Sequence, residues 1–528
     1  MFEVENNEFR NVKQTFVPVS RVLFSTVRGL DVLLPGNRNL RSVPGGEIAS
    51  SRLSQGSRLL VDFGVELSGG VRIVSGADSS PDCRICLSFG ESVSEALNGP
   101  LNEHGIHCTE LQIPRYASID FGTTGFRFVS IEVRCGTLDL INVIANTLDY
   151  CPEAAGSFHS SDPLLDRIFE AGVRTVRLNT QEFVFDGVKR DRLVWAGDLY
   201  PELSVILPVF GNLPALPASF DFLRETVPDS GCINKISAYT LWYVLSLYKY
   251  FLYTGDTALL DRSMPFVERA FELLKNHVSA DGKENLPPNR FLDWPSNEYP
   301  EEVHAGLQGI CVLAASAMAE LFKCTQKDPS EAEKLHALLL GHTPDPGRNK
   351  AAAALLTLAG TPGAAPVLVQ EPFRGVSTFM GYFILMAQNA ASGIELARNY
   401  WGGMLKMGAT TFWEDFDLDW MENAFGIDKM PVPGKVDIHK DCGAYCYKSL
   451  RHSLCHGWAG GVSAWCVEKL LGVRVLEAGC RTLEIKPDIG GLEYVQGSVC
   501  TPCGKVSISL EQGKTPEVSA PEGVNIKL

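Results

Sequence analysis

SDPLLDRIFEAGV, residues 161–173, is where the patterning of this chain turns from strand to helix. Ser161 and Asp162 offer side-chain oxygens to cap a helix, and Pro163 suits a first turn whose N–H would have no partner anyway. Leu164, Leu165, Ile168, Phe169 and Val173 then recur at helical spacing. A helix is therefore expected from 163. Upstream, between about 58 and 135, LLVDFGVEL, GGVRIVSG, CRICLSFGES and GFRFVSIEVR alternate apolar and polar residues between Gly, Ser and Pro turns. Short strands of that kind, without helical runs, predict a jelly-roll-like β-sandwich.

Downstream, helical stretches recur at 236–253, 262–277, 303–323, 350–359, 376–390, 392–407 and 456–471, joined by turns such as Thr254-Gly255-Asp256 and Asp281-Gly282. GHTPDPGRNK (341–350) reads as an exposed turn between two of them. No fixed-period repeat is visible, which argues against a solenoid. Each helix must bury one stripe, and a closed ring of helical hairpins does so. After 472 alternation returns in RTLEIKP, EYVQGSVCTP and KVSISLEQ. The expected order is an N-terminal β-sandwich (1–152), a helical barrel (153–471) and a small C-terminal β-sandwich (472–528).

The whole chain sets bounds on partners. At 528 residues it exceeds what one core supports, so several domains are expected. A net charge of −15 opposes nucleic acid and anionic membrane, which call for a basic surface, and leaves a neutral substrate as the better fit. MFEVENNEFRNVKQTF lacks a basic segment followed by an apolar one, so no signal peptide is expected. The apolar run 308–322 reads as a buried helix. Fifteen cysteines without an export signal suggest reduced, buried thiols and a cytoplasmic location. Cys83/Cys86 and Cys500/Cys503 have zinc-like spacing, but Cys86 lies in an alternating strand and the pairs are far apart in sequence, so no metal and no cofactor are expected. Oligomeric state is not legible.

No G-x-S-x-G, H-E-x-x-H, P-loop or dinucleotide fingerprint occurs. What remains are carboxylates beside tryptophans. FDGVKRDRLVWAGDLYPE (185–202) gathers Asp186, Asp191, Asp198 and Glu202 with Lys189, Arg190, Arg192 and Trp195 around two turns. From spacing alone this stretch fits a capped helix start with surface ion pairs as well as a polar pocket. Asn289–Trp294, Ala409–Glu414 and Arg451–Trp458 add further acid–aromatic clusters at helix ends. Carboxylates move protons on and off a glycosidic oxygen and a water, and indole faces pack on sugar C–H groups. Trp242, in YTLWYVLSLYKY, reads as helix core on pattern alone.

DGVKRDRLVWAGD, FLDWPS, GATTFWEDFD and HSLCHGWAGGVSAW, in that order, resemble bacterial α-L-rhamnosidases of glycoside hydrolase family 78. The resemblance runs from about 55 to 510, taking in VDFGVELSGGVRI, FGESVSEA and VCTPCGKV. It implies an (α/α)6 barrel between β-sandwiches, and hydrolysis of terminal α-L-rhamnosides with inversion. By motif, Glu414 matches the general base. Asp186, Arg190, Trp195 and Asp198 match sugar-binding positions, and Trp242, Asp293, Trp294, Trp413 and His456 match others around the sugar. Many family members carry a Glu in an R-D-E-R stretch, where this chain reads Arg190-Asp191-Arg192, one residue shorter. Asp191 is the acid by position, with Glu202 as the alternative. A barrel glycosidase of other sugar specificity and a non-catalytic carbohydrate-binding homologue are the competing expectations.

Overall fold

The computed structural model describes residues 12–34, 43–44, 50–98, 108–227 and 231–528. The first eleven residues, read above for a leader, lie outside these. Eight strands make one hydrogen-bonded sheet: β1 (Lys13–Pro18), β2 (Arg21–Ser25), β3 (Ser51–Ser54), β4 (Arg58–Ser75), β5 (Arg84–Gly90), β6 (Cys108–Gln112), β7 (Ser118–Cys135) and β8 (Thr137–Asp149). The main path runs β1-β8-β4-β7-β5-β6, with β2 also on β4 and β3 also on β8. All these pairings are antiparallel, placing Leu59 opposite Ile131, Val61 opposite Val129 and Ile73 opposite Val143. Those side chains, with Leu87, Phe89 and Phe126, form the buried core of this unit.

β4 changes partner along its length, with β2 on its first residues and β8 on its last. The register shifts between Asp62 and Leu67 and again between Gly69 and Val71. A Cβ at Gly70 would meet the carbonyl oxygens of Phe121 and Gly122 at 2.3 Å, so only glycine lets the strands approach there.

A short helix, α1 (Val93–Asn98), follows β5, and β9 (Ser157–Ser160) precedes the helical region. The remaining helices are α2 (Pro163–Asn179), α3 (Ala196–Phe210), α4 (Ala215–Glu225), α5 (Ser237–Thr254), α6 (Thr257–Asn276), α7 (Pro300–Cys324), α8 (Ser330–Leu340), α9 (Lys350–Leu358), α10 (Gly381–Ala387), α11 (Ala390–Lys406) and α12 (Gly461–Trp465). α2 starts as expected: the Asp162 side chain accepts from the Leu164 N–H, with Pro163 in the first turn. Contacts run in a cycle, α3 on α5, α5 on α7, α7 on α9, α9 on α10, α10 on α12, and α12 back on α3. These helices are apolar on nearly all sides, and fourteen of the fifteen residues of α3 are buried. α7 alone among the described residues is long and apolar enough to cross a membrane, and 83% of that window is buried inside the protein.

The stretch expected as a helix over 456–471 is shorter. Gly457–Gly460 forms a 3-10 turn, α12 spans Gly461–Trp465, and a π turn covers Cys466–Leu470. Three glycines among 457–461 keep the approach to the helix irregular, and they let its backbone pass against Glu202, Val176 and Tyr382.

β10 (Ala424–Phe425) and β11 (Val436–Asp437) form a minimal parallel pair. At the C-terminal end, β12 (Val473–Glu477), β13 (Thr482–Ile485) and β17 (Asn525–Lys527) form a three-stranded sheet. β14 (Tyr494–Thr501), β15 (Gly504–Glu511) and β16 (Glu517–Ser519) form the other, completed by β9. β9, which patterning grouped with the helices, pairs antiparallel with β14. The first sheet docks on the helices through Arg127, whose guanidinium binds Asp62 at 2.9 Å and the Gly408 carbonyl at 2.9 Å.

Candidate active site

Four loops meet at one end of the helical cycle, and their mutual hydrogen bonds fix the side chains between them. The Glu414 N–H donates to the Ser453 carbonyl at 2.9 Å, and the His456 N–H to the Phe412 carbonyl at 3.0 Å. The Gly457 N–H donates to the Asp186 carbonyl at 2.7 Å, which joins the loop before α3 to the segment before α12. The Glu414 carbonyl accepts from Trp458 Nε1 at 3.0 Å and from Thr378 Oγ1 at 2.5 Å, so its side chain is aimed inward by a held backbone.

Arg190 is the hub. Its guanidinium donates to Asp191 Oδ2 at 2.6 Å through Nη1 and to Glu414 Oε2 through Nη2. Glu414 Oε2 also accepts from the Ser453 N–H at 3.1 Å. Asp191 and Arg192 both adopt left-handed backbone angles, φ +61° and +48°. Such conformations cost roughly 1–2 kcal/mol each for residues with a Cβ. The turn at Asp191 and Arg192 is therefore strained. Arg192 leaves the cavity and binds the Thr123 carbonyl at 2.9 Å and Gln181 Oε1 at 2.6 Å.

Behind this pair lies a buried charge cluster. His456 Nε2 meets Asp198 Oδ1 at 3.2 Å, and its Nδ1 faces Glu414 Oε1 at 3.8 Å. Burial works against a charged His456, but Glu414, Asp198 and Asp186 outweigh it and raise its pKa. Asp186 Oδ1 accepts from the N–H groups of Gly187 and Leu193 at 2.8 and 2.9 Å. Burial nonetheless pushes the Asp186 carboxyl up to about 8, with Asp198 adding repulsion and His456 opposing it. Burial likewise raises Asp198, and Glu202 well above the ordinary carboxylate range.

These loops enclose a cavity of about 300 Å³. Of the residues singled out in the sequence, Asp186, Arg190, Asp191, Trp195, Asp198, Trp294, Glu414 and His456 line it. Ile236, Tyr239, Asn289, Phe291, Asn297, Cys446, Tyr447, Arg451 and Trp458 complete the wall. Aromatic rings of its wall pack edge to face on one another: Trp195 on Tyr239 at 5.9 Å, Phe291 on Trp294 at 5.3 Å and Trp294 on Tyr447 at 6.3 Å between centroids. Apolar faces with a few convergent carboxylates and amides suit one pyranose ring.

Three expected positions are elsewhere. Trp242 is buried inside the helical cycle against Phe383 and Tyr200. Its neighbour one turn earlier, Tyr239, reaches the cavity instead. Trp413 packs edge-on against Phe416 and His452. Its neighbour Glu414 stands at the cavity wall in its place. Asp293 turns from Trp294 to bind Ser296 and Ser377, and lines a small space behind the wall with Glu414 and Trp458. Glu202, the alternative acid, packs against Gly457 and does not line the cavity. Asn289, Arg451 and Trp458 stood in the clusters quoted from the sequence, whereas Tyr447 and Cys446 carried no signal.

Residues 153–338 match the family model described as the bacterial alpha-L-rhamnosidase 6 hairpin glycosidase domain. No curated protein matches the chain in sequence. Among solved structures, the chain is similar to a GH78 family rhamnosidase of Bacillus sp. GL1, at 20% identity and a TM-score of 0.70, over 94% of this chain and 55% of that one. A rhamnosidase from Klebsiella oxytoca with rhamnose bound matches at 21% identity and a TM-score of 0.67, over 86% of this chain and 95% of that one. The Streptomyces avermitilis α-L-rhamnosidase complexed with L-rhamnose matches at 17% and 0.70, over 94% and 51%. The chain thus spans about half the length of the Bacillus and Streptomyces proteins. At such identities the likeness is one of fold. Family model and fold together bear out the resemblance carried by the four motifs, to the bacterial α-L-rhamnosidases with their six-hairpin glycosidase domain.

Proposed function

We propose that this protein is an inverting exo-glycosidase that releases terminal α-L-rhamnose from glycans or plant glycosides, working in a closed (α/α)6 barrel flanked by β-sandwiches. The observation that carries the reading is the single cavity in which residues of all four motifs converge, with Asp191 and Glu414 both held by Arg190. The seat is backed by Asp198 and His456 and lined by aromatic side chains, which favours one terminal sugar over the interior of a chain.

In inversion, one carboxylic acid protonates the leaving oxygen while a carboxylate opposite takes a proton from the attacking water. Glu414 is the base in this reading. Its polar contacts are donors, Arg190 and the Ser453 N–H, which leave Oε1 to face a water on the His456 side. Asp191 is the acid at the cavity wall. Its Oδ2 accepts from the Arg190 guanidinium at 2.6 Å, which leaves Oδ1 to pass a proton to the leaving oxygen. Asp186, Trp195, Asp198, Trp294 and His456 hold the ring, and no cofactor takes part.

One observation favours a second reading of the acid. Asp186 lines the same cavity and, with its carboxyl pushed up to about 8, carries a proton at neutral pH. The test is hydrolysis of 4-nitrophenyl α-L-rhamnoside followed by proton NMR. The β-anomer of L-rhamnose is expected as first product, at a rate that collapses in Glu414→Gln. Appearance of the α-anomer first would sink inversion. Absence of turnover with tight rhamnose binding would replace the enzyme by a binding protein, and turnover only of other aryl glycosides would change the sugar.

A further inference from the structure

The loop 186–192 divides its side chains between two neighbours. Asp186, Arg190 and Asp191 face the cavity. Val188, Lys189 and Arg192 bind the N-terminal sheet unit: the Val188 carbonyl accepts from the Gly125 N–H at 3.1 Å, and Arg192 reaches the Thr123 carbonyl. Between them, Lys189 Nζ is buried among four oxygens. Glu91 Oε2 lies at 2.9 Å, Glu95 Oε1 at 3.0 Å, the His452 carbonyl at 2.9 Å and the Leu450 carbonyl at 3.3 Å.

Both carboxylates belong to the turn and short helix after β5, and both reach further. Glu91 Oε2 accepts from the Leu454 N–H at 2.6 Å, one residue from Ser453, which holds Glu414. Glu95 Oε2 accepts from the Glu91 N–H at 2.8 Å and so fixes the partner carboxylate. Ser92 Oγ lies 2.7 Å from His439 Nδ1, whose Nε2 lies 2.9 Å from the His452 carbonyl. One sheet turn thus grips the loop that carries Arg190 and the loop that carries Ser453.

Glu91, Glu95 and His439 also bring ligand atoms close enough to hold a metal ion. Lys189 already supplies the cation there, and its charge would repel a second one. Burial disfavours a charged Lys189, but Glu91 and Glu95 outweigh it and hold its pKa above the ordinary value.

We infer that Glu91 and Glu95 are positioning residues for catalysis: through Lys189 they set the register of Arg190 between Asp191 and Glu414, so that the N-terminal sheet unit completes the active site. This rests on the function proposed above. A shift of about 1 Å at a catalytic group costs on the order of 100-fold in rate. Asp186 has its own anchors in the Leu193 and Gly457 N–H groups, so sugar binding is set apart from the clamp.

The test compares wild type, Glu95→Gln and Lys189→Met by steady-state kinetics on 4-nitrophenyl α-L-rhamnoside and by calorimetry with L-rhamnose. Glu95→Gln keeps the side-chain volume and one acceptor. Expected are a kcat lowered 10- to 100-fold, KM within about threefold of wild type and a rhamnose stoichiometry still near one per chain. A kcat within twofold of wild type in both variants would overturn the inference. So would a kcat that falls only in step with the stoichiometry, or a Glu95→Gln chain that does not fold, because either assigns the pair to stability alone. A wild type without rhamnosidase activity would overturn the proposed function and not the clamp. In that case hydrogen exchange decides: faster exchange of the 187–193 amides in Glu95→Gln supports the clamp, and unchanged exchange overturns it.

Discussion

Asp191 and Glu414 share one side chain, because Arg190 donates to both from opposite arms of its guanidinium. Two carboxylates tied to one cation stay apart by the width of that group and respond together to anything that moves it. Asp191 stands in a strained turn with Arg192, both at left-handed backbone angles.

This pairing predicts how the variants divide. Glu414→Gln should lower kcat by about 10²–10⁴-fold on every aryl rhamnoside, since water activation is needed for all. Loss of the acid should matter less as the leaving phenol becomes more acidic. Asp191→Asn is therefore expected to keep much of its rate on dinitrophenyl rhamnoside and little on phenyl rhamnoside. If Asp186→Asn shows that dependence and Asp191→Asn does not, the proton comes from Asp186.

The buried carboxyls also predict how stability varies with pH. Native Asp186 keeps its proton up to about 8, and native Asp415 up to about 7. In the unfolded chain both release it near about 4. Between those limits the native state binds more protons, so stability falls as pH rises, by at most about 1.4 kcal/mol per unit for each such group. Asp198, Glu202 and His456 are raised too and add the same sign. Burial lowers His439 and His452, which oppose this slope only below their ordinary range, so thermal melts should show Tm falling from pH 7 to 8.5, less steeply in Asp186→Asn. A Tm that climbs over that range would contradict this electrostatic account.

Trp242 separates core from site. Its indole is 1% exposed and packs on Phe383 with centroids 4.9 Å apart. Trp242→Ala should cost about 3–5 kcal/mol of stability. Its KM for an aryl rhamnoside should stay near wild type in the folded fraction, whereas Trp294→Ala should raise KM. Denaturant unfolding with steady-state kinetics on both variants checks the contrast.

At the unit interface, Asp62 has no exposed side-chain surface and binds both Arg21 and Arg127. Asp62→Ala leaves Arg127 buried without its carboxylate, which should cost about 3–5 kcal/mol. Adding Arg127→Leu should recover part of that loss. Equal stability of wild type and the single variant in urea would show that the pair carries no net weight.

Local signals were legible wherever local chemistry decides. The Asp162-Pro163 start of α2 stands as its capping chemistry predicts, and the acid–aromatic clusters lie at the ends of helices around one cavity. What the sequence hid depends on separations it does not encode. Trp242 reads as helix core on its pattern, as it stands, and only the motif resemblance moved it to the sugar, while Tyr239 on the same helix carried no mark of reaching the cavity. Lys189 reads as a solvated charge until Glu95, 94 residues earlier, is brought to it. β9 is too short to show alternation, and its partner strand follows only after the whole helical region.

That last pairing has a consequence for synthesis. Ser157 Oγ lies 3.0 Å from Ser498 Oγ across 341 residues of chain. A ribosome delivers β9 before the first long helix and β14 only after the last, so the strand at the threshold of the helical cycle waits unpaired while the helices emerge. Its edge is exposed for most of translation, and closing so distant a contact is slow. The C-terminal sheet therefore acts as a fastening applied last, and chains interrupted before residue 494 leave the start of the helical region unsecured.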